Sequence, residues 1–255
     1  MISAIWNGWK GIRRSATVDR EGHFDSWREN ISAHSEDDTS FLSYFDTTEG
    51  VEEAFMQGQW DFAHHVLKPS LIPLIGEPFE ASALEIGFGG GRLLAASSHF
   101  FGHVYGVDIH DEFERVDGLL RQRGVENFTL LKGDGRTLPV DDQSIDFVYS
   151  FIVLQHLPSI DILQAYLAEV KRVLRPGRPA CLYVGHLGWN LRGHAYVDCA
   201  TQEVASSREN TLLLRPRQSE RLFKQAGLQC IETGRARKKP WRSDLGNQHY
   251  IIATA

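Results

Sequence analysis

The residues best suited to chemistry lie in a few short stretches. The first is Glu85-Ile-Gly87-Phe-Gly89-Gly-Gly91. Glycines at this density let a backbone turn approach a ligand closely. A helix starting behind them offers unpaired N–H groups to a carboxylate or phosphate. The second is Asp108, about 20 residues beyond Gly87, a spacing at which a carboxylate can accept hydrogen bonds from both hydroxyls of a ribose. The third is Gly133-Asp134-Gly135, whose carboxylate can accept an adenine amino proton. A dinucleotide fingerprint would need glycine at position 92, which is Arg92, and no GxxxxGK[ST] phosphate loop is present.

Histidines supply the candidate proton carriers. His156 follows an apolar run and has the side chain whose ordinary pKa suits proton transfer near neutrality. His186 and His194 bound Gly185-His186-Leu-Gly-Trp-Asn-Leu-Arg-Gly-His194, which with Asp198 could border an acceptor. No CxxC pair exists among Cys181, Cys199 and Cys230, so neither a structural zinc site nor a disulfide framework is expected, and no metal is assigned.

The elements that must position these residues follow from periodicity. Strands are predicted at Ser82–Ile86, His103–Asp108, Phe128–Lys132, Ile145–Ser150 and Ala180–Val184. Helices are predicted from Arg92, over 111–123 and over 160–174, where apolar residues at 160, 163, 167, 170 and 174 keep the helical period. This alternation predicts an α/β fold, a doubly wound parallel sheet covered on both faces. A helix over 217–226 and strands over 229–233 and 249–254 close the chain, the strands as an antiparallel pair. In such sheets ligands bind beyond the carboxyl ends of the strands, where the glycines, Asp108, Asp134 and His156 all fall.

These motifs, in this order, resemble class I S-adenosylmethionine-dependent methyltransferases of the type 11-like subgroup. Leu84 to Gly91 resembles their first motif and Val107-Asp108 the acidic end of their second strand. Lys132 to Pro139 resembles the adenine segment, Ser144 to Leu157 the fourth-strand motif, and Val173 to Gly177 the turn before strand five. The resemblance covers about residues 65 to 185. It implies a Rossmann-like, seven-stranded, mostly parallel sheet with an antiparallel last strand. It implies S-adenosyl-L-methionine as cofactor and S-adenosyl-L-homocysteine as product. Glu85, Gly87, Gly89, Gly91, Asp108, Ile109, Asp134, Gly135 and Ser150 would then surround the cofactor, with His156 the candidate base and His186 and His194 the weaker ones. A cofactor-binding partner protein without methyl transfer is the alternative of a different class.

Two compositional features bear on the acceptor. The first 62 residues hold ten of the chain's aromatics, among them Trp6, Trp9, Phe24, Trp27, Tyr44 and Phe45. They are read as a helical lid over residues 1–64, ahead of a methyltransferase domain over 65–255 with an insertion at about 185–215. The stretch 208–242 carries ten basic against three acidic residues in a chain of net charge −6, which suits an anionic acceptor. A small molecule or glycan end, methylated on oxygen, is the expected acceptor, and a small amine is the rival. Overall acidity disfavours nucleic acid. No 18-residue apolar run and no N-terminal apolar segment are present, so neither a membrane span nor a signal peptide is expected, and a cytoplasmic location is the default. The sequence does not fix the oligomeric state.

Overall fold

The computed structural model describes residues 20–46, 48–187, 196–198, 212–236 and 248–255. Its centre is a mostly parallel sheet. Strands β1 (Ser82–Ile86), β2 (His103–Asp108), β3 (Phe128–Lys132), β4 (Phe147–Ser150) and β5 (Pro179–His186) run parallel in the order β3-β2-β1-β4-β5. Two later strands, β8 (Gln229–Arg235) and β9 (Gln248–Thr254), finish it. β9 lies antiparallel between β5 and β8. That is the expected seven-stranded sheet with an antiparallel last strand.

Two more strands were not foreseen. β6 (Tyr196–Asp198) and β7 (Leu212–Leu214) form a short antiparallel ribbon, and β7 runs beside the end of β5 at Gly185 and His186. β4 stops pairing with β5 at Leu182, so the ribbon takes over the free edge that β4 leaves. β4 itself begins two residues later than the predicted Ile145. Asp146 turns its Oδ2 to the Ser82 backbone N–H at 3.0 Å and to Arg175, so the ladder opens at Phe147 opposite Ala83.

Helices cover both faces. α3 (Val51–Asp61, extended by a π-helical turn Phe62–Val66) and α5 (Arg92–Ser98) pack on the face carrying Ala83, Phe147, Tyr149, Cys181 and Tyr183. α7 (Ile160–Val173) and α8 (Pro216–Gln225) pack on Leu84, Val148, Leu182 and Val184. α6 (Phe113–Arg121) buries Val116, Leu119 and Leu120. The central strands β1, β4 and β5 are buried on both faces, which is why they read as continuous apolar runs rather than alternating ones. Each large side chain so buried contributes roughly 1.5–3 kcal/mol.

The N-terminal region is helical where it is described. α1 (Arg20–Ala33), α2 (Asp38–Phe45) and the short α4 (Ile72–Ile75) precede the sheet. Asp37 caps α2, accepting from Ser40 N at 2.8 Å. Among the described residues no helix is long and apolar enough to cross a membrane.

Candidate active site

The turn after β1 is built by residues that tolerate no side chain. Gly87, Gly89 and Gly91 have φ of +79°, +50° and +78°. A Cβ on Gly87 would lie 2.3 Å from Val153 Cγ2, and one on Gly89 2.9 Å from Phe45. Gly91 is the N-cap of α5, so the unpaired N–H groups of that helix open beside the turn.

Asp108, at the end of β2, locks onto this turn. Its Oδ2 accepts from Gly89 N at 2.7 Å and its Oδ1 from Ile109 N at 2.6 Å. His110, which sequence reasoning passed over, completes the brace. It is fully buried; its Nε2 donates to the Gly89 carbonyl at 3.0 Å and its Nδ1 accepts from Glu112 N at 3.1 Å. Those two partners fix its tautomer.

A cavity of about 120 Å³, open at its mouth, lies over this turn. Gly87, Gly89, Asp108 and Ile109 form one end, Ile152, Val153, His156 and Leu157 the other, and His23, Phe24, Trp27 and Phe45 the cover. The cover comes from α1 and α2. Phe24 stands over Gly135, whose Cβ, if present, would lie 2.6 Å from the ring, and the Trp27 ring lies 5.1 Å from that of His156. His23 Nε2 donates to the His156 carbonyl at 2.8 Å. Burial pushes the His23 pKa down despite that bond, so the ring donates in its neutral form. Ile152 has φ of +60°, an outlier for a β-branched residue, and it forms part of the cavity wall.

The expected site residues therefore divide. Gly87, Gly89, Asp108, Ile109 and His156 meet at the cavity. Gly91 sits behind the turn, its would-be Cβ 2.9 Å from Val116. Ser150 is buried and donates to the Ile86 carbonyl at 3.0 Å. Asp134 Oδ1 accepts from the backbone N–H of Arg136 and Thr137 at 2.8 and 2.7 Å, shaping its own turn beneath Phe24. Burial opposes the Asp134 charge, but these bonds hold its pKa below the usual range. His186 ends β5 rather than lining the cavity. His194, Cys199, Trp6, Trp9 and the basic residues Arg208, Arg237, Lys238, Lys239 and Arg242 lie outside the described residues.

Glu85 points the other way. Strand alternation turns Ile86 toward the cavity and Glu85 toward α5, where it is 3% exposed and accepts from Tyr149 Oη at 3.1 Å. Tyr149 in turn meets Ser97 Oγ at 2.7 Å. Burial pushes the Glu85 carboxyl up to about 8, against the bond from Tyr149 and the charge of Arg92. Between pH about 4.5 and about 8 the unfolded chain has released a proton that the folded chain keeps, so this group lowers stability as pH rises. Glu85→Gln should be more stable than the parent at pH 8, with the gain vanishing toward pH 4.5. Thermal unfolding of both across that range checks it, and parallel profiles would contradict it.

Residues 84–180 match the family model described as "Methyltransferase domain". A demethylmenaquinone methyltransferase of Staphylococcus epidermidis is 40% identical over 76 residues, 30% of this chain and 30% of that protein. The chain thus matches about a third of that relative's length. A solved 1,6-didemethyltoxoflavin-N1-methyltransferase of Burkholderia thailandensis, with 1,6-didemethyltoxoflavin and S-adenosylhomocysteine bound, superposes with a TM-score of 0.64 at 17% identity, covering 95% of this chain and 92% of that one. A SAM-dependent methyltransferase of Aquifex aeolicus superposes at 0.53 with 17% identity, covering 89% and 97%. With the glycine turn and the placement of Asp108, residues 84–180 are similar to a methyltransferase domain, and the chain shares its fold with solved S-adenosylmethionine-dependent methyltransferases.

Proposed function

We propose that the chain transfers a methyl group from S-adenosylmethionine to an oxygen of a small acceptor carrying a flat apolar ring. The observation that carries this reading is one cavity shared by Asp108, held by two backbone N–H groups at the glycine turn, and by His156 under an aromatic cover. The residues fit the cofactor. Gly87 and Gly89 leave backbone where a side chain would block it, and Asp108 offers carboxylate oxygens to ribose hydroxyls. Gly91, Ser150 and Glu85 support that turn from behind, and Asp134 and Gly135 form the adenine end beneath Phe24. When bound, S-adenosylmethionine supplies an activated methyl carbon on a sulfonium sulfur.

The chain's own task is alignment, exclusion of water and removal of a proton. Phe24, Trp27 and Phe45 exclude water from above. His156 takes the acceptor's proton at Nε2, where the Gln155 side-chain amide now lies 3.1 Å away. An acceptor hydroxyl must displace that amide. Few polar groups line the cavity besides His23, Asp108 and His156, which favours a phenol-like or enol-like hydroxyl over a sugar. A glycan end is the competing acceptor in the same screen. The Burkholderia structure is of an N1-methyltransferase, which keeps nitrogen methylation as the rival chemistry.

His156→Ala should lower kcat for a hydroxyl acceptor by roughly 10²–10⁴-fold while leaving cofactor affinity intact. Screening phenols, acidic sugars and amines with parent and variant tests it. An unchanged rate with the cofactor still bound removes His156 as the base, and turnover of amines alone assigns nitrogen chemistry.

A further inference from the structure

A second polar cluster lies at the carboxyl rim of the sheet, outside the cavity. His186 is the last residue of β5 and Arg235 the last of β8. His249, second in β9, pairs with Val184 on one side and Arg235 on the other. Residues paired across strands share a face, and His186 is two positions beyond Val184, so all three side chains emerge on the α8 side. The His186 and His249 rings lie 5.3 Å apart, edge to face.

The hydrogen bonding leaves this cluster incomplete. The Arg235 guanidinium donates to His186 Nε2. A guanidinium has no lone pair to offer, so Nε2 is the acceptor and the His186 proton resides on Nδ1. That Nδ1 is buried and meets no partner among the described residues. His249 is 1% exposed, and its Nε2 meets Ser219 Oγ at 2.9 Å, yet its Nδ1 also meets none among the described residues. Burial pushes the His249 pKa down to about 3, with His186 and Arg235 adding to the effect, so the ring is neutral. Leaving a buried polar atom unsatisfied is costly, and two of them on neighbouring rings beside a permanent cation call for a ligand.

The chemistry of the set selects the ligand. A metal cation would face the Arg235 charge with no carboxylate or thiolate to offset it. Among the described residues no group of three His, Cys, Asp or Glu gathers anywhere. An oxyanion gains the guanidinium charge and the Nδ1–H donor together. The strand that carries His186 also touches the reaction site, through the opposite face of the preceding residue. Gly185, just before His186, would place a Cβ 3.2 Å from the Cβ of Gln155, the neighbour of His156.

We propose that His186, Arg235 and His249 form an oxyanion subsite that docks a carboxylate or phosphate carried by the acceptor. The acceptor part of this inference rests on the proposed methyl transfer. The test is nitrogen NMR of the imidazole side chains in the full chain, titrated with 4-hydroxybenzoate, inorganic phosphate and, as the neutral control, phenol. The His186 and His249 ring signals should move with 4-hydroxybenzoate or phosphate and stay still with phenol. Arg235→Gln, at an exposed position, should weaken that binding by about tenfold or more without lowering the unfolding temperature. Response to phosphate but not to 4-hydroxybenzoate assigns the site to phosphorylated acceptors. Equal shifts with phenol, no shift with either anion, or unchanged affinity in Arg235→Gln would overturn the subsite. The readout needs no turnover. Anion binding without S-adenosylhomocysteine binding would spare the subsite and sink the proposed function, and the reverse would sink the subsite alone.

Discussion

Asp61→Ala is expected to destabilise the fold by about 3–5 kcal/mol, because it strips the closest counter-charge from a buried arginine. Arg92, the first residue of α5, is 6% exposed, and its Nη1 lies 2.5 Å from Asp61 Oδ2 and 3.5 Å from Asp46 Oδ2. Burial works against the Arg92 charge, but Asp61 and then Asp46 outweigh it and hold its pKa above the usual value. With Asp61 gone, the charge stays buried against the more distant Asp46. The loss reaches beyond stability. α3 crosses α5 so closely that a Cβ on Gly58 would lie 2.4 Å from the Arg92 carbonyl, and Arg92 directly follows Gly91. The ion pair therefore fixes the end of the glycine turn. Denaturant unfolding of the variant measures the loss. A change under about 1 kcal/mol would mean that Arg92 finds water or another acid, against the burial argument.

Asp108→Ala should weaken S-adenosylmethionine and S-adenosylhomocysteine by about tenfold or more, since charged hydrogen bonds are worth about 1.5–3 kcal/mol each. Two losses combine. The carboxylate no longer meets the ribose, and Gly89 N and Ile109 N lose the oxygens that hold the turn to β2. His110 still grips the Gly89 carbonyl, so the turn should loosen rather than unfold. Calorimetric titration of parent and variant decides the matter. Parent binding with the variant within about twofold would remove Asp108 from the cofactor site, and no binding to the parent would mean that the motifs are relics or need a partner chain.

What the sequence revealed was what local geometry controls. Gly87, Gly89 and Gly91 stand out because their backbone conformation excludes other residues, and Asp108 because a strand length separates it from them. Where the reading failed, contacts between distant segments decide. His110 matters only because the fold brings the Gly89 carbonyl to it. Phe24 is one aromatic among many until α1 lays it over Gly135. The β6–β7 ribbon has strands of three residues, too short to show a period, and its place is set by the early end of β4. Glu85 was legible as a neighbour of the turn, and its facing was legible too. It neighbours Ile86, and two-residue alternation already sends them to opposite faces.

The position of β9 has a consequence for how the chain is made. β9 seals β5 along its length, from Pro179 opposite Thr254 to Gly185 opposite Gln248. On the ribosome, β5 emerges long before the segment that covers it. Through that interval it offers a run of unpaired backbone N–H and C=O groups between mostly apolar side chains, the kind of edge that recruits the wrong strand. The sheet that carries the glycine turn, Asp108 and His156 can form early on its β3 side. Its β5 side must be shielded from other nascent chains until residues 248–254 arrive.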